Sequence, residues 1–236
     1  MIAGSWPFLA PDHTMRLRLT GHRVLASSHE FAPRPKDQHD GRVSSRQHAG
    51  PTQDRCTTLT DRSRRPKILN RPYSITAEVD IPDAGAEGVL LSMGGIDGGI
   101  SLYVQDGRLC FAHNYLCLKY FYAKSRDTVP PGHHFLSMEF EPTGEADRAR
   151  GRGTPGTVAL FADGEAVGEA EFSVTTPNRL GQGAAMQVGV DSGGAVTPEY
   201  QSPFPFAGAI TRVIVDVSGE HVADYEAEMR VVLAKQ

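Results

Sequence analysis

The chain has only three cysteines, Cys56, Cys110 and Cys117, too few and too oddly numbered for the disulfide framework of a small secreted domain. Reduced thiols are the expectation, although Cys110 and Cys117 flank an expected hairpin and a bond between them would form if they faced each other across it. Tryptophan is almost missing: Trp6, near the start, is the only one, so the body of the chain has no indole for stacking on a sugar. No stretch approaches the ~18 uninterrupted apolar residues that a spanning helix needs. The first residues lack a basic n-region and are interrupted by Pro7 and Pro11, unlike a signal peptide. A soluble, cytoplasmic protein without a membrane partner is expected. The sequence also lacks Cys-x-x-Cys, His-x-His, His-Glu-x-x-His and Gly-x-Ser-x-Gly, which leaves no zinc spacing and no seat for a nucleophile. The glycine run from Gly94 to Gly99 lies between expected strands and opens no helix, so it offers no phosphate cradle.

Charge is distributed unevenly. Residues 1–66 carry 11 Lys and Arg against 6 Asp and Glu, and residues 67–236 carry 13 against 22, giving +5 and −9 within a total of −4. The head also holds five of the nine histidines and, from Gly21 to Pro66, has few large apolar residues and no sustained period. Such a stretch buries too little apolar surface to offset its ordering entropy, and a largely disordered head over 1–66 is expected. The cluster from Arg62 to Arg65 lacks interleaved aromatics and reads as a solvated linker, so no nucleic-acid partner is expected.

From Tyr73 the texture changes to short β-branched and aromatic runs punctuated by Gly, Pro and Asp. Ile75, Ala77, Val79 and Ile81 alternate with Ser74, Thr76, Glu78 and Asp80, the period of a strand with one buried face. Further strands are expected over 88–93, 99–105, 108–112, 117–123, 134–141, 157–162, 165–174, 185–190 and 208–217. Asp106-Gly107 and Asp163-Gly164 sit between such runs, where a two-residue turn needs positive φ, and mark two hairpins. Many short strands with turn signals every ~8–12 residues predict an all-β fold, an antiparallel two-sheet sandwich or jelly roll. Val222, Tyr225, Met229, Val232 and Leu233 recur at helical spacing and predict one amphipathic helix over about 222–235. Residues 142–156 and 191–205 read as long, mobile loops.

Glu78-Val-Asp80 invites comparison with the Glu-x-Asp-x-x-Glu strand of laminarinase-like glycosidases, whose carboxylates serve as nucleophile and acid/base. Pro82 and Asp83 stand where the third carboxylate would fall, so Glu78 and Asp80 read as the solvent face of an edge-like strand. Asp97, Asp106 and Asp191 are candidate oxygen donors for calcium, but aspartate before or near glycine is more often a turn former, and no cofactor is expected. The densest aromatic patch runs from Asn114 to Tyr122. On a strand, Tyr120 and Tyr122 share one face and Phe121 takes the other with Lys119. Asn114, Tyr115, Lys119, Tyr120 and Tyr122 are therefore the candidate docking or ligand surface, and no catalytic residue is assigned.

Several separated blocks occur in a recognisable order: Asn70-Arg-x-x-Ser-Ile-Thr-Ala-Glu-Val79, Ala86-Glu-Gly-Val-Leu-Leu91, Ser101-Leu-Tyr-Val-x-Asp-Gly-Arg-Leu109, Leu160-Phe-Ala-Asp-Gly-Glu-x-Val-Gly-Glu169, Thr197-Pro-Glu-Tyr200 and Pro203-Phe-Pro-Phe-Ala-Gly-x-Ile210. Together they resemble the C-terminal domain of large bacterial arylsulfatases, a concanavalin- or laminin-G-like sandwich, over residues 67–236. In that family, catalysis uses a formylglycine made within Cys/Ser-x-Pro-x-Arg, with a calcium ion, in a preceding domain. Here the Cys before the match, Cys56, is followed by Thr58 and Thr60 where Pro and Arg would stand, so no family catalytic residue carries over. The resemblance thus implies a non-catalytic accessory sandwich that packs on a sulfatase catalytic domain. The rival readings are a free-standing lectin-like module with carbohydrate as partner, a sulfatase by family only, and a divergent glycosidase.

Overall fold

The computed structural model describes residues 15–23, 57–59, 66–181 and 185–217. In chain order the strands are β1 (Met15–Arg23), β2 (Thr57–Leu59), β3 (Tyr73–Ile81), β4 (Gly88–Gly95), β5 (Gly98–Gln105), β6 (Arg108–Tyr115), β7 (Lys119–Lys124), β8 (Gly132–Pro142), β9 (Gly156–Ala162), β10 (Glu165–Phe172), β11 (Met186–Val188) and β12 (Ala209–Val217). They form two six-stranded antiparallel sheets: β1-β12-β3-β8-β9-β10 and β2-β11-β4-β5-β6-β7. The all-β sandwich expected from the sequence is the fold.

Local chemistry accounts for the hairpins. Asp106 and Gly107 have φ of 51° and 70°, and Asp163 and Gly164 have 52° and 84°. Positive φ at both central positions is the mirror-image turn whose twist matches paired strands, and Asp-Gly supplies it at low cost. Asp163 also accepts the Phe135 N–H at 2.8 Å and meets His134 Nδ1 at 2.7 Å. Burial would raise its pKa, but these contacts outweigh it and hold the carboxyl below its ordinary value.

The core lies between the sheets. In β3, Tyr73, Ile75, Ala77, Val79 and Ile81 all point inward, as the alternation predicts. Opposite them stand Leu90, Leu91, Ile100, Leu102, Leu109 and Phe111. Phe172 stacks on Phe111 and Phe121 with ring centroids 6.1 and 5.2 Å away. Each such fully buried side chain contributes on the order of 1.5–3 kcal/mol. Along one margin the sheets nearly join, since the Arg126 N–H donates to the Val167 carbonyl at 2.8 Å.

Several expectations need correction. β3 is not edge-like: it lies between β12 and β8. Glu78 on its outer side is only 15% exposed, with Arg212 Nε at 2.5 Å and His133 Nε2 at 3.4 Å, and Asp80 meets His133 Nδ1 at 3.0 Å. Two stretches of the basic head, β1 and β2, are strands: β1 pairs with β12 and β2 with β11, so the sheets recruit residues ahead of Lys67. The other residues of the head lie outside the described residues, as does the helix expected over 222–235. Cys110 and Cys117 are free thiols, Cys110 buried opposite Lys124 and Cys117 exposed in a turn. Neither long loop hangs loose. Residues 142–156 are tied by the Thr143 N–H to the Pro155 carbonyl and by a short 3-10 turn at Arg148–Arg150 capped by Asp147. Residues 191–207 are folded onto the second sheet.

Candidate functional site

β4, β5 and β6 are buried on both faces, unlike β3, because residues 191–207 cover the side of their sheet that faces away from the core. There Val89, Tyr103, Cys110, Ala112 and Tyr200 form a second apolar cluster, against which Tyr122, Ala195 and Phe204 pack. Tyr200 meets Tyr103 edge-on at 5.2 Å and stacks on Phe204 at 5.0 Å.

Asp191 pins this cover. Its Oδ2 accepts the Val196 N–H at 3.1 Å and the Tyr200 hydroxyl at 2.8 Å, and its carbonyl accepts the Ser202 hydroxyl at 2.7 Å. Tyr200→Phe deletes one of two donors to a carboxylate that is only 2% exposed. A loss of about 1–3 kcal/mol is expected, measured by denaturant titration; a loss within error would show that Asp191 does not need the hydroxyl.

Where β7 meets this cover, polar groups gather. Tyr103 donates its hydroxyl to Glu199 Oε2 at 2.7 Å, Lys124 Nζ donates to Glu199 Oε1 at 2.9 Å, and Gln105 Nε2 donates to the Glu199 carbonyl at 2.9 Å. Its hydrogen bond to Glu199 raises the Lys124 pKa, and burial, followed by the tyrosine's own bond to Glu199, raises the Tyr103 phenol. Tyr122 is half-buried with its hydroxyl 2.9 Å from Thr197 Oγ1, and Lys124 Nζ sits 5.8 Å from its ring centroid. Tyr120, two positions along on the same face, is also half-exposed. Beneath them burial pushes the Cys110 thiol up to about 11, making it an inert core group at neutral pH.

The five residues picked from the sequence do not act together. Tyr120 and Tyr122 share this outer face, as alternation requires, and Phe121 turns into the core with Lys119 Nζ 4.4 Å from its ring centroid. Tyr115 packs toward the core and donates its hydroxyl to the Gly151 carbonyl at 2.8 Å. Asn114 is fully buried and ties two turns to the covering loop. Lys124 and Glu199 carry no local signal in the sequence, because they are 75 residues apart and meet only where the loop folds back.

The proposed calcium donors do not converge. Asp191 is committed to the loop, Asp106 occupies a hairpin turn with its N–H on Glu87, and Asp97 belongs to the turn between β4 and β5. Among the described residues no three His, Cys, Asp or Glu side chains gather around one point. No described helix is long and apolar enough to cross a membrane.

No family model matches the chain, and no curated protein does. Among solved structures, the chain is similar to the carbohydrate-binding module CBM40 of the Ruminococcus gnavus IT-sialidase bound to α2,3-sialyllactose, at 17% identity and a TM-score of 0.45 over 74% of this chain and 91% of that one. It is also similar to domains LG4-5 of the mouse laminin α1 chain, at 19% identity and a TM-score of 0.43 over 62% of this chain and 36% of that one. A pentraxin from Limulus polyphemus follows at 11% identity and a TM-score of 0.33, over 68% of this chain and 71% of that one.

Proposed function

We propose that this chain is a non-catalytic, lectin-like binding module that takes carbohydrate on the ledge formed by Tyr120, Tyr122, Lys124 and Glu199. One observation carries the reading: a carboxylate, an ammonium group and two half-exposed phenol rings lie side by side, and most are already fixed by hydrogen bonds. Sugar recognition uses this combination. The apolar face of a pyranose packs on a tyrosine ring, while vicinal hydroxyls donate to Glu199 and accept from the remaining protons of Lys124. Because the groups are held before the ligand arrives, little rotamer entropy is lost on binding.

The test is retention of the full chain on immobilised neutral, sulfated and carboxylated oligosaccharides. Tyr120→Ala is expected to weaken binding about tenfold, equivalent to ~1.4 kcal/mol, with an unchanged Tm. Failure to retain any of these sugars, or equal retention of Tyr120→Ala and Lys124→Ala, would remove the proposal. An accessory role beside a sulfatase catalytic domain is the second reading, supported by the ordered blocks of sequence resemblance, which fall on β3, β4, the β5–β6 and β9–β10 hairpins and the loop over the second sheet. Co-elution with such a domain, and no turnover of an aryl sulfate by the chain alone, is its expected outcome.

A further inference from the structure

Four large apolar side chains are exposed among the described residues, and three of them, Ile96 (66%), Leu116 (39%) and Leu118 (76%), sit on two adjacent turns at one end of the second sheet. Asn114 joins these turns: its Nδ2 donates to the Gly95 and Ile96 carbonyls and its Oδ1 accepts the Cys117 N–H at 2.8 Å. The β6–β7 turn is built against local preference. Leu116 and Cys117 have φ of 53° and 59°, values that turns normally assign to Asn or Gly. Leucine there costs conformational energy and still leaves 39% of its surface exposed, where an ordinary turn would be polar.

Three exposed cations lie close to the two turns along the chain or beside segments that touch them. Lys119 follows Leu118 directly and is exposed. Arg152, also exposed, adjoins Gly151, whose carbonyl accepts the Tyr115 hydroxyl. Exposed Arg179 lies two residues before Gly181, whose nitrogen would be 3.5 Å from a Cβ on Gly98. These cations stand out in a body in which carboxylates outnumber basic residues 22 to 13, although Asp147, whose carbonyl accepts the Arg152 N–H at 2.8 Å, pairs with Arg150 beside them. Asp97, half-buried, is the acidic residue of the two turns.

We propose that this tip is a peripheral docking surface for an anionic lipid bilayer, with Ile96, Leu116 and Leu118 entering the headgroup region and Lys119, Arg152 and Arg179 facing lipid phosphates. Paired turns carrying aliphatic side chains, with exposed cations nearby, match a bilayer interface, where apolar insertion and attraction to anionic lipid add. The sequence holds no apolar run long enough to suggest a membrane; insertion of this kind needs none, only a few side chains at a turn.

The full chain is sedimented with vesicles of phosphatidylcholine alone and of phosphatidylcholine with phosphatidylglycerol, at low and high salt. Expected is co-sedimentation with the anionic vesicles, reduced by salt. The double variant Ile96→Ser, Leu118→Ser should lose binding at least about tenfold, and Arg152→Gln or Arg179→Gln about fivefold each. Because these positions are exposed, their Tm values should match the parent, which separates loss of docking from loss of fold. No sedimentation with anionic vesicles overturns the proposal, as does binding unchanged in the double variant. Concentration-dependent dimerisation that the double variant abolishes, without vesicle binding, would assign the tip to a second copy of the chain instead.

Discussion

Asn114→Ala is expected to lower the unfolding free energy by about 4 kcal/mol, and the Tm by about 10 °C. The side chain is completely buried. Its amide donates to three carbonyls, Gly95 at 3.3 Å, Ile96 at 3.0 Å and Val196 at 3.0 Å, while its oxygen accepts from Cys117. Truncation strands four backbone groups, each costing ~1–3 kcal/mol if no water replaces the partner, so rescue of most of them by water leaves a total near the low end of the summed range. Asn114→Asp sharpens the test. The carboxylate keeps shape and volume, but it has no N–H to give and puts negative charge against three carbonyl oxygens. It should be at least as destabilising as alanine at neutral pH. Thermal unfolding followed by near-UV circular dichroism measures both, and a cost below about 1 kcal/mol for either would refute the role assigned to this amide.

The second large effect is a dependence on pH centred on His113. Burial lowers its pKa from 6.5 to about 4, and its Nε2 accepts the Thr176 N–H at 3.1 Å, an interaction that needs the unprotonated nitrogen. The folded-state value is depressed, so below pH 6.5 the unfolded chain binds a proton that the folded chain refuses until about pH 4. Stability therefore rises with pH through this window and is lost on acidification, by about 3 kcal/mol in all. Asp163, whose carboxyl is held below its ordinary value by the Phe135 N–H and His134, contributes only further down the scale. His113→Gln should flatten the fall between pH 6.5 and 4 measured by denaturant unfolding, and an equally steep fall in that variant would locate the effect elsewhere.

How much of this was legible in the sequence follows from which interactions are local. β3, β8, β9 and β12 carry clean alternation because one face meets the core and the other meets water, and their limits were read to within a few residues. The two Asp-Gly hairpins were equally plain, since positive φ selects those residues. The Leu116-Cys117 turn gave no such signal: its backbone is closed by the Leu118 N–H to the Tyr115 carbonyl and by the Asn114 side chain, which is itself anchored to the β4–β5 turn and to the covering loop. The candidate site was half legible. Alternation put Tyr120 and Tyr122 on one face, but pairing them with Lys124 and Glu199 requires the 191–207 segment to fold back over the sheet. Aspartate, glycine and proline in that segment read as a mobile loop; the Asp191 carboxylate, buried beneath Tyr200, fixes it instead.

By itself, then, the sequence determined the class of fold, most strands and two hairpins, because period and turn chemistry act over a few residues. Tertiary structure alone decided that β3 is central, that a loop closes the second sheet and builds the Lys124–Glu199 ledge, and that three aliphatic side chains stand exposed at one tip. Each of those depends on contacts between residues far apart in the chain, where no local pattern records the partner.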